Sequence, residues 1–308
     1  MIVSHPAMPQ TQPTNSPTWL NRDLYPFESR TVNLPQGTVH YVDTGADIAD
    51  KPTLVMVHGT PSWSFLYRHY IQELSQHYRC IALDNLGFGL SGKPTDFAYT
   101  PQAHAEVFAD FVETLQLTNI TLLVHDFGGP IGLSYALSQP DNVRALVISN
   151  TWLWTNEQAS MKVIGRLTRH PLGRYWYVRG NVSVGLLLKY AGFAKPISPE
   201  VYAHYQGPLA RPQDRYPTWA LVQALTGAND WYDSLWNQRE VLTNLPMLLL
   251  WGLQDKVLPS SYLTRWREAF PEAQVGGLEA GHFLQEDAPR EATSAIHSFL
   301  TSLTSSSS

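Results

Sequence analysis

The stretch of sequence that decides the fold reads Thr121-Leu122-Leu123-Val124-His125-Asp126-Phe127-Gly128-Gly129-Pro130. Its first four residues are apolar or β-favouring and predict a strand, and the following segment, 131–137, predicts a helix. A carboxylate at a sharp, glycine-rich turn between a strand and a helix has the layout of a nucleophile elbow, with Asp126 in the place of the usual serine. Alternatively, Asp126 only caps the helix by accepting hydrogen bonds from its free N–H groups.

Length and composition are those of an ordinary globular protein. The 308 residues are 44% hydrophobic and 15% charged, which suits one large domain with or without an insert. A net charge of -5 argues against nucleic acid as a partner. No apolar run reaches the ~18 residues of a transmembrane helix, so a membrane partner is not expected either.

Two local features bear on the cellular compartment. Residues 1–17 lack the basic start and the apolar core of a signal peptide, which favours a cytoplasmic protein. Cys80 is the single cysteine, and it lies in an apolar segment. We therefore expect a buried, unreactive thiol.

Predicted strands and helices alternate along most of the chain. The predicted strands are 38–43, 53–57, 79–83, 120–124, 143–149, 246–252 and 274–278, and the main predicted helices are 63–75, 101–115 and 290–303. The first strand alternates in polarity and is typical of an edge, whereas the continuous apolar runs after it indicate strands buried on both faces. This order favours an α/β fold with a mostly parallel central sheet and helices on both faces.

The alternation stops after Asn150 and resumes near residue 246. Six of the ten tryptophans lie between these points, in a segment whose pattern is helical. Since ligands of open α/β folds bind at the carboxyl ends of the strands, a helical insert there would close a dry pocket. We therefore predict four parts: a poorly ordered lead-in at 1–25, an α/β core at 26–150 and 242–304, a helical cap at 151–241 and a disordered tail at 305–308.

Two further polar residues, Asp255 and His282, follow predicted strands late in the chain. Taken singly, Asp255 could form a solvated turn pair with Lys256, and His282 could be an ordinary surface histidine. Together with Asp126 they stand in the order nucleophile, acid, histidine, each at the junction of a strand and a loop. This arrangement favours a catalytic triad of Asp126, Asp255 and His282 over a simple helix cap.

Another strand end carries His58-Gly59-Thr60-Pro61. Gly59 permits a sharp turn, after which the backbone N–H of Thr60, with that of Phe127, would form an oxyanion hole. The alternative is a plain loop held by glycine and proline. His58 and His125 suit structural roles better than catalytic ones. The glycine-rich loop 84–94 lacks the spacing of a phosphate-binding loop, so a nucleotide is not expected.

These residues resemble those of a known family. From about residue 25 to 300 the chain is similar to the haloalkane dehalogenases of the α/β-hydrolase superfamily, and epoxide hydrolases share the aspartate nucleophile and the general plan. The segments that match are HGTPSWSFLYR at 58–68, LGFGLSGKP at 86–94, VHDFGG at 124–129, WGLQD at 251–255 and AGHF at 280–283, with YQGP at 205–208 and RYPTW at 215–219.

The resemblance implies a two-step hydrolysis. Asp126 would attack a saturated carbon and form an alkyl ester, and His282, oriented by Asp255, would activate the water that hydrolyses this ester. The N–H groups of Thr60 and Phe127 would hold the oxyanion. The expected partners are water and a small apolar substrate, either a halogenated alkane or an epoxide, with no cofactor or metal. A monomer or a small homo-oligomer is expected.

The sequence departs from the family pattern where a leaving halide would bind. Haloalkane dehalogenases usually place a tryptophan directly after the nucleophile, but Phe127 has no hydrogen-bond donor in its side chain. Many carry asparagine or another polar side chain at the position of Thr60. From its spacing to Asp126, Trp176 of the cap is predicted to replace the missing indole.

Two other functions stay open. An epoxide hydrolase would need tyrosines to protonate the epoxide oxygen, and the cap offers Tyr202, Tyr205 and Tyr216. A ligand-binding protein that keeps the triad would bind its ligand with little turnover.

Overall fold

The computed structural model describes residues 10–11, 17–45 and 51–305. The strands are β1 (Gln10–Thr11), β2 (Arg30–Leu34), β3 (Gly37–Asp43), β4 (Thr53–Val57), β5 (Arg79–Leu83), β6 (Ile120–His125), β7 (Val143–Ser149), β8 (Met247–Gly252) and β9 (Gln274–Leu278). They form one sheet in the order β1-β2-β3-β5-β4-β6-β7-β8-β9. Strands β4 to β9 pair in parallel, and β1, β2 and β3 add antiparallel pairs at one side. The predicted mostly parallel sheet is confirmed.

The helices connect these strands and cover the sheet. They are α1 (Arg68–Leu74), α2 (Pro101–Thr114), α3 (Gly128–Ser138), α4 (Ala159–Arg169), α5 (Pro171–Arg179), a π-helix (Ser183–Gly192), α6 (Pro199–Gln206), α7 (Tyr216–Gly227), α8 (Asn229–Asn237), α9 (Ser260–Ala269), α10 (Leu284–Asp287) and α11 (Pro289–Ser305). Short 3-10 turns lie at Ser64–Tyr67, Pro140–Asn142, Gly207–Leu209, Pro212–Arg215 and Arg239–Leu242.

The order of the central strands creates a crevice. The chain runs outward from β4 to β5 and then crosses back to β6, so that β4 lies between them. Ligands of open α/β sheets bind at such a reversal, outside the carboxyl ends of the strands. Asp126 follows β6 and Gly59 follows β4, so both residues lie at this point.

The central strands are buried on both faces. In β4, Val55 and Val57 belong to one buried apolar cluster, whereas Leu54 and Met56 belong to a second cluster. Alternate side chains therefore enter the apolar layers on opposite sides of the sheet. This two-sided burial explains why β4 reads as a continuous apolar run.

Residues 17–25 pack against the body, so the prediction of a poorly ordered lead-in is wrong for them. Leu20 and Tyr25 are buried, and the Tyr25 hydroxyl lies 2.6 Å from the Ser64 hydroxyl. The Asn21 N–H donates to His204 Nε2 at 3.0 Å. Burial of one large aromatic ring fixes this segment despite its polar composition. Residues 1–9 and 12–16 of the predicted lead-in lie outside the described residues.

Two smaller predictions, an edge strand at 38–43 and a disordered tail that begins at residue 305, also differ from the structure. β3 is not an edge strand, because β2 pairs with its residues 37–41 on one side and β5 pairs with its residues 41–43 on the other. Ser305, the first residue of the predicted tail, ends α11, and 306–308 lie outside the described residues.

The segment between β7 and β8 holds α4 to α8 and the π-helix. The boundaries assigned to the core and the cap stay a prediction, and we use "cap" for residues 151–241. Among the described residues, no helix combines the length and the apolar character needed to cross a bilayer.

Candidate active site

Asp126 lies in a strained turn directly after β6. All six residues of β6 are buried, and Asp126, the next residue, has a φ of 52°, in the left-handed region that non-glycine residues rarely occupy. The Thr151 hydroxyl and the Gly129 N–H donate to the Asp126 carbonyl oxygen at 2.5 and 2.9 Å. These bonds hold the turn, and α3 begins at Gly128, two residues after Asp126.

Two glycines allow the backbone to come close to the turn. A Cβ atom at Gly59 would lie 2.0 Å from Asp126 Oδ1, and a Cβ atom at Gly128 would lie 2.0 Å from the Val57 carbonyl oxygen. Any side chain at these positions would push the loop after β4 away from the turn at Asp126.

The structure brings Asp126, His282 and Asp255 together in one buried chain of contacts. The Thr60 N–H donates to Asp126 Oδ1 at 2.8 Å, and Asp126 Oδ2 lies 3.4 Å from His282 Nε2. On the other side of the ring, His282 Nδ1 lies 2.8 Å from Asp255 Oδ2. One carboxylate oxygen of Asp126 is therefore held by the backbone, while the other faces the histidine.

Asp255 is held by a residue that the sequence analysis missed. Asn150 follows β7 directly, and its Nδ2 donates to Asp255 Oδ2 at 2.6 Å, while its Oδ1 accepts the Gly252 N–H at 2.9 Å. The N–H groups of Val257 and Leu258 donate to Asp255 Oδ1 at 2.6 and 3.0 Å. The only signal in the sequence was the place of Asn150 at a strand end.

The charges of the site are strongly coupled. Burial lowers the pKa of His282, but the carboxylates of Asp255 and Asp126 outweigh burial and raise this pKa to about 10. Burial raises the pKa of Asp255, but the charge of His282 and the hydrogen bonds to its carboxylate bring this pKa below its usual value. At neutral pH the resting site therefore holds an imidazolium between two carboxylates.

Two neighbouring histidines have structural partners. His125 Nε2 lies 2.8 Å from the His282 carbonyl oxygen, and burial, with the charge of His282, lowers the pKa of His125 to about 4. His58 Nε2 accepts the Asn85 N–H at 2.9 Å, and burial lowers the pKa of His58. Both rings are neutral at pH 7 and fix the loops around the site.

A cavity of about 200 Å³ opens onto Asp126 and His282. The remaining lining residues are Thr60, Pro61, Phe127, Met161, Ile164, Tyr177, Ser183, Leu187, Leu188, Ala191, Gly192, Val222, Leu225, Lys256, Val257 and Phe283. The Thr60–Pro61 peptide bond is cis. Mostly apolar walls of this kind suit a small apolar substrate and keep bulk water from the carboxylate. In the part of the chain that the structure describes, no group of three or more His, Cys, Asp or Glu side chains is arranged to hold a metal ion.

Comparison with known proteins agrees with this geometry. A family model described as the alpha/beta hydrolase fold matches residues 52–289. Haloalkane dehalogenase 2 of Mycobacterium tuberculosis is 37% identical over 278 residues, which cover 89% of this chain and 95% of that protein. This chain is a haloalkane dehalogenase-like α/β hydrolase.

Two further similarities add to this assignment. The cis-3-alkyl-4-alkyloxetan-2-one decarboxylase of Shewanella oneidensis is 32% identical over 289 residues, which cover 90% of each chain. The crystal structure of haloalkane dehalogenase DbeA from Bradyrhizobium elkani USDA94 matches with a TM-score of 0.83 over 91% of this chain and 99% of that chain. At 22% identity, this second likeness shows the fold alone. The family and the fold that the sequence resemblance predicted are confirmed.

In this dehalogenase-like hydrolase, Trp176 does not occupy the place predicted for it. Its side chain is 65% exposed on α5 and does not line the cavity. The next residue, Tyr177, is buried and lines the cavity. Consecutive helical residues point about 100° apart. Spacing along the chain could not tell which side of α5 turns inward.

The three predicted cap tyrosines also lie away from the cavity of the hydrolase. The Tyr202 hydroxyl donates to the Val184 carbonyl oxygen at 3.0 Å, the Tyr205 hydroxyl donates to the Glu286 carboxylate, and Tyr216 packs against Tyr99 and Trp219. The tyrosine that the sequence analysis missed is Tyr177, whose hydroxyl hydrogen-bonds to Ser183. Burial raises the pKa of Tyr177 to about 12, so this hydroxyl keeps its proton at neutral pH.

Phe127 and Thr60 both line the cavity of the hydrolase. The ring of Phe127 packs edge-on against Trp152, with 4.9 Å between centroids, and presents no donor to a leaving group. The Thr60 hydroxyl is buried and has no hydrogen-bond partner among the described residues. Thr60 therefore offers a free donor beside Asp126, in addition to its backbone N–H.

Proposed function

We propose that this hydrolase cleaves carbon–halogen bonds of small apolar alkanes, with Asp126 as nucleophile, His282 as base and Asp255 as the acid that orients it. The observation that carries this proposal is the asymmetry of the Asp126 carboxylate. Oδ1 accepts the Thr60 N–H at 2.8 Å, whereas Oδ2 faces His282 Nε2 at 3.4 Å in an apolar cavity. The name of the 37% identical relative, a haloalkane dehalogenase, supports the choice of bond.

In the first step, Oδ2 of Asp126 attacks the carbon that bears the halogen. A carbon–oxygen bond forms as the carbon–halogen bond breaks, and the electron pair leaves with the halide. In the second step, His282 Nε2 takes a proton from water, and the hydroxide attacks the carbonyl carbon of the ester. Charge develops on Oδ1, which the Thr60 N–H already binds. Collapse passes a proton from the hydroxyl of the tetrahedral intermediate to the departing alcohol oxygen and restores the carboxylate. His282 is left as the imidazolium of the resting site, since the proton that balances the halide leaves this ring for solvent after the first step.

Alkylation itself prepares the base for the second step. The carboxylate of Asp126 raises the pKa of His282 both by its charge and by its hydrogen bond. An ester at Asp126 has no negative charge, so the pKa of His282 falls once the ester forms. The neutral imidazole that water activation requires is thus favoured only after the first step.

The leaving halide is proposed to contact the Thr60 hydroxyl. This hydroxyl belongs to a residue that lines the cavity, is buried, and lacks a partner among the described residues. Phe127 cannot donate, and its N–H as the second oxyanion donor stays a prediction. One hydroxyl replaces the indole and amide that the family usually offers, so slow chemistry on chloroalkanes and faster chemistry on bromoalkanes are expected.

A second candidate is the opening of a strained oxygen ring, either an epoxide or a four-membered lactone. An oxygen leaving group requires a proton, and the Tyr177 hydroxyl lines the cavity and retains its proton at neutral pH. A relative at 32% identity is named as a decarboxylase of an oxetan-2-one, which is a four-membered lactone.

Product analysis separates these candidates. The full-length hydrolase is incubated with a primary bromoalkane, an alkyl epoxide or a dialkyl oxetan-2-one, and bromide, alcohol, diol and carbon dioxide are measured. Equal amounts of bromide and alcohol, absent with Asp126→Asn, are expected from the first proposal. Turnover of a ring substrate without bromide release from the bromoalkane would replace it by the second candidate. Saturable binding of all three without product would leave a binding role.

A cytoplasmic location and a monomeric or small homo-oligomeric state stay predictions. Cell fractionation and size-exclusion chromatography would test them.

A further inference from the structure

The cap exposes an unusual amount of apolar surface. Eight of the eleven large hydrophobic side chains exposed among the described residues lie between residues 163 and 190. They are Val163, Leu167, Leu172, Tyr175, Trp176, Leu186, Leu187 and Tyr190. Trp176 is 65% exposed and Leu167 is 63% exposed, although large apolar side chains are usually buried in the core of a protein. Exposed apolar side chains gathered in this way mark an interaction surface.

Four of these side chains form one apolar face around a groove. On α4, Met161, Gly165 and Thr168 are buried, so the opposite side of the helix carries Val163 and Leu167 outward. Leu167 of α4, Leu172 and Trp176 of α5, and Leu187 of the π-helix line one shared groove. The three helices therefore present their exposed apolar residues side by side.

The segment that carries this face is strongly basic. Between residues 158 and 199 the chain has seven Lys and Arg residues and no Asp or Glu, although its net charge is -5. These residues are Lys162, Arg166, Arg169, Arg174, Arg179, Lys189 and Lys195, and all seven are exposed. Residues 158–199 of the cap thus combine positive charge with exposed apolar side chains, on a protein whose net charge is -5.

The groove on this face adjoins the active-site cavity. Ile164, Tyr177 and Leu187 line both spaces. Apart from Thr168 and His170, the groove is lined by apolar or aromatic residues and one glycine. An apolar molecule therefore meets a continuous apolar surface from the outer face of the cap to the cavity above Asp126.

We propose that residues 162–195 of the cap dock on the surface of a bilayer that contains anionic lipids. Basic side chains would meet the lipid phosphates, and Trp176, Tyr175 and Tyr190 suit the interface between headgroups and acyl chains. Docking of this kind needs no membrane-spanning helix. It revises the expectation of no membrane partner, which rested on the lack of an apolar run long enough for a transmembrane helix. It does not depend on which bond Asp126 breaks.

A second copy of the chain fits this face less well than a lipid surface. A two-fold interface would place the same seven basic side chains opposite one another, and like charges repel. A nucleic acid would match the charge, but it would leave exposed leucine side chains without apolar contact.

Vesicle flotation with the full-length chain tests the proposal. Vesicles of phosphatidylcholine alone are compared with vesicles that also contain phosphatidylglycerol, at low and at high salt. Preferential flotation with the anionic vesicles is expected, and high salt should weaken it. Each basic residue near an anionic surface contributes roughly fivefold in binding. Lys162→Glu/Arg166→Glu should therefore lower binding at least roughly twentyfold.

Matched variants separate docking by this face from general effects of surface charge and surface hydrophobicity. Leu167→Ser/Leu172→Ser should lower binding to anionic vesicles, whereas Arg267→Glu and Leu253→Ser, which change exposed residues outside the cap, should not. All changes affect exposed side chains, and equal thermal stability verifies that each variant is folded.

Four results would overturn the proposal. The first two are equal binding to both kinds of vesicle and binding to neither. The third is a loss of binding in the control variants that is as large as the loss in the cap variants. The fourth is self-association in size-exclusion chromatography, abolished by the cap variants, in a protein that does not bind vesicles. Tight binding to a short DNA duplex without vesicle binding would likewise contradict it. None of these results bears on bromide release, so the proposed function is tested separately.

Discussion

The two oxygens of the Asp126 carboxylate have different surroundings, and the proposed chemistry depends on this difference. Backbone strain at φ 52° turns the carboxylate toward the β4 loop, where the Thr60 N–H binds Oδ1. Oδ2 is left to face His282 and the cavity. Thr60 acts on both steps in this scheme, through its N–H on the oxyanion and through its hydroxyl on the halide.

The Thr60 hydroxyl can be tested with an isosteric change. Thr60→Val keeps the backbone N–H and removes a buried hydroxyl that lacks a partner among the described residues. We expect bromide release to fall about 100-fold, as for other donors aimed at developing charge, while stability stays the same or rises. Thr60→Ser serves as the matched control and should retain most of the activity. Full activity of Thr60→Val would remove the hydroxyl from the mechanism.

Asn150 should matter for the second step rather than the first. Its amide bridges Asp255 Oδ2 and the Gly252 N–H, and a hydrogen bond to a charged group contributes about 1.5–3 kcal/mol. In Asn150→Ala we expect hydrolysis of the ester to slow about tenfold or more, so that a burst of bromide precedes slow turnover. Asn142→Ala removes a structural amide far from the triad, which bonds to Leu117 and Tyr135, and should give no burst. Rapid-quench measurement of bromide decides between these outcomes.

At the scale of elements, the apolar strands were the most predictable part of the chain. β4, β5 and β7 have the predicted bounds, because buried strands of a parallel sheet are mostly continuous apolar or β-branched runs with sharp ends. β9 also has its predicted bounds, although it contains two glycines and is partly exposed. β2 was missed, because five residues of mixed polarity are too few to show a clear alternation of apolar and polar side chains. The three triad positions follow strand ends and could be found in the same way.

The rotation of the cap helices could not be predicted from the sequence. On α5 the neighbours Trp176 and Tyr177 point to solvent and to the cavity respectively, and tertiary packing alone decides which is which. The partnership of Asn150 with Asp255 also joins residues 105 positions apart, which no local pattern reveals.

The two neighbours on α5 give a paired prediction. In the absence of lipid, Trp176→Phe should leave turnover of a dissolved bromoalkane unchanged, because this indole does not line the cavity. Tyr177→Phe should change KM for the bromoalkane modestly, and it should abolish ring opening of an epoxide if that activity exists. A loss of bromide release in Trp176→Phe that exceeds the loss in Tyr177→Phe would contradict the placement of α5. Steady-state kinetics on the two purified variants provide the comparison.

At the scale of the whole molecule, charge is divided between two regions. The cap face between residues 158 and 199 has seven basic and no acidic residues, whereas the chain as a whole has a net charge of -5. Averaged composition hid this asymmetry. Within the core, an imidazolium between two carboxylates couples the stability of the fold to the state of the active site.

Stability should therefore depend on pH through His282. Its pKa of about 10 in the folded protein lies above the ordinary value of 6.5, so its stabilising contribution is fully present below pH 6.5 and is lost as pH rises toward 10. We expect the free energy of unfolding to decline between pH 7 and 9. Asp126→Asn removes one of the carboxylates that raise this pKa, so the decline should be smaller in that variant. Urea denaturation at both pH values measures the difference, and an equal decline in both proteins would contradict the coupling.

In the proposed mechanism, Asp126 carries the alkyl group between the two steps. The most direct test is mass spectrometry of His282→Phe after incubation with a primary bromoalkane, because this variant lacks the base that hydrolyses the ester. We predict one alkyl group per chain, located by peptide mapping on Asp126, with one equivalent of bromide released. Bromide and alcohol formed without an adduct on Asp126, or an adduct on another residue, would contradict the account.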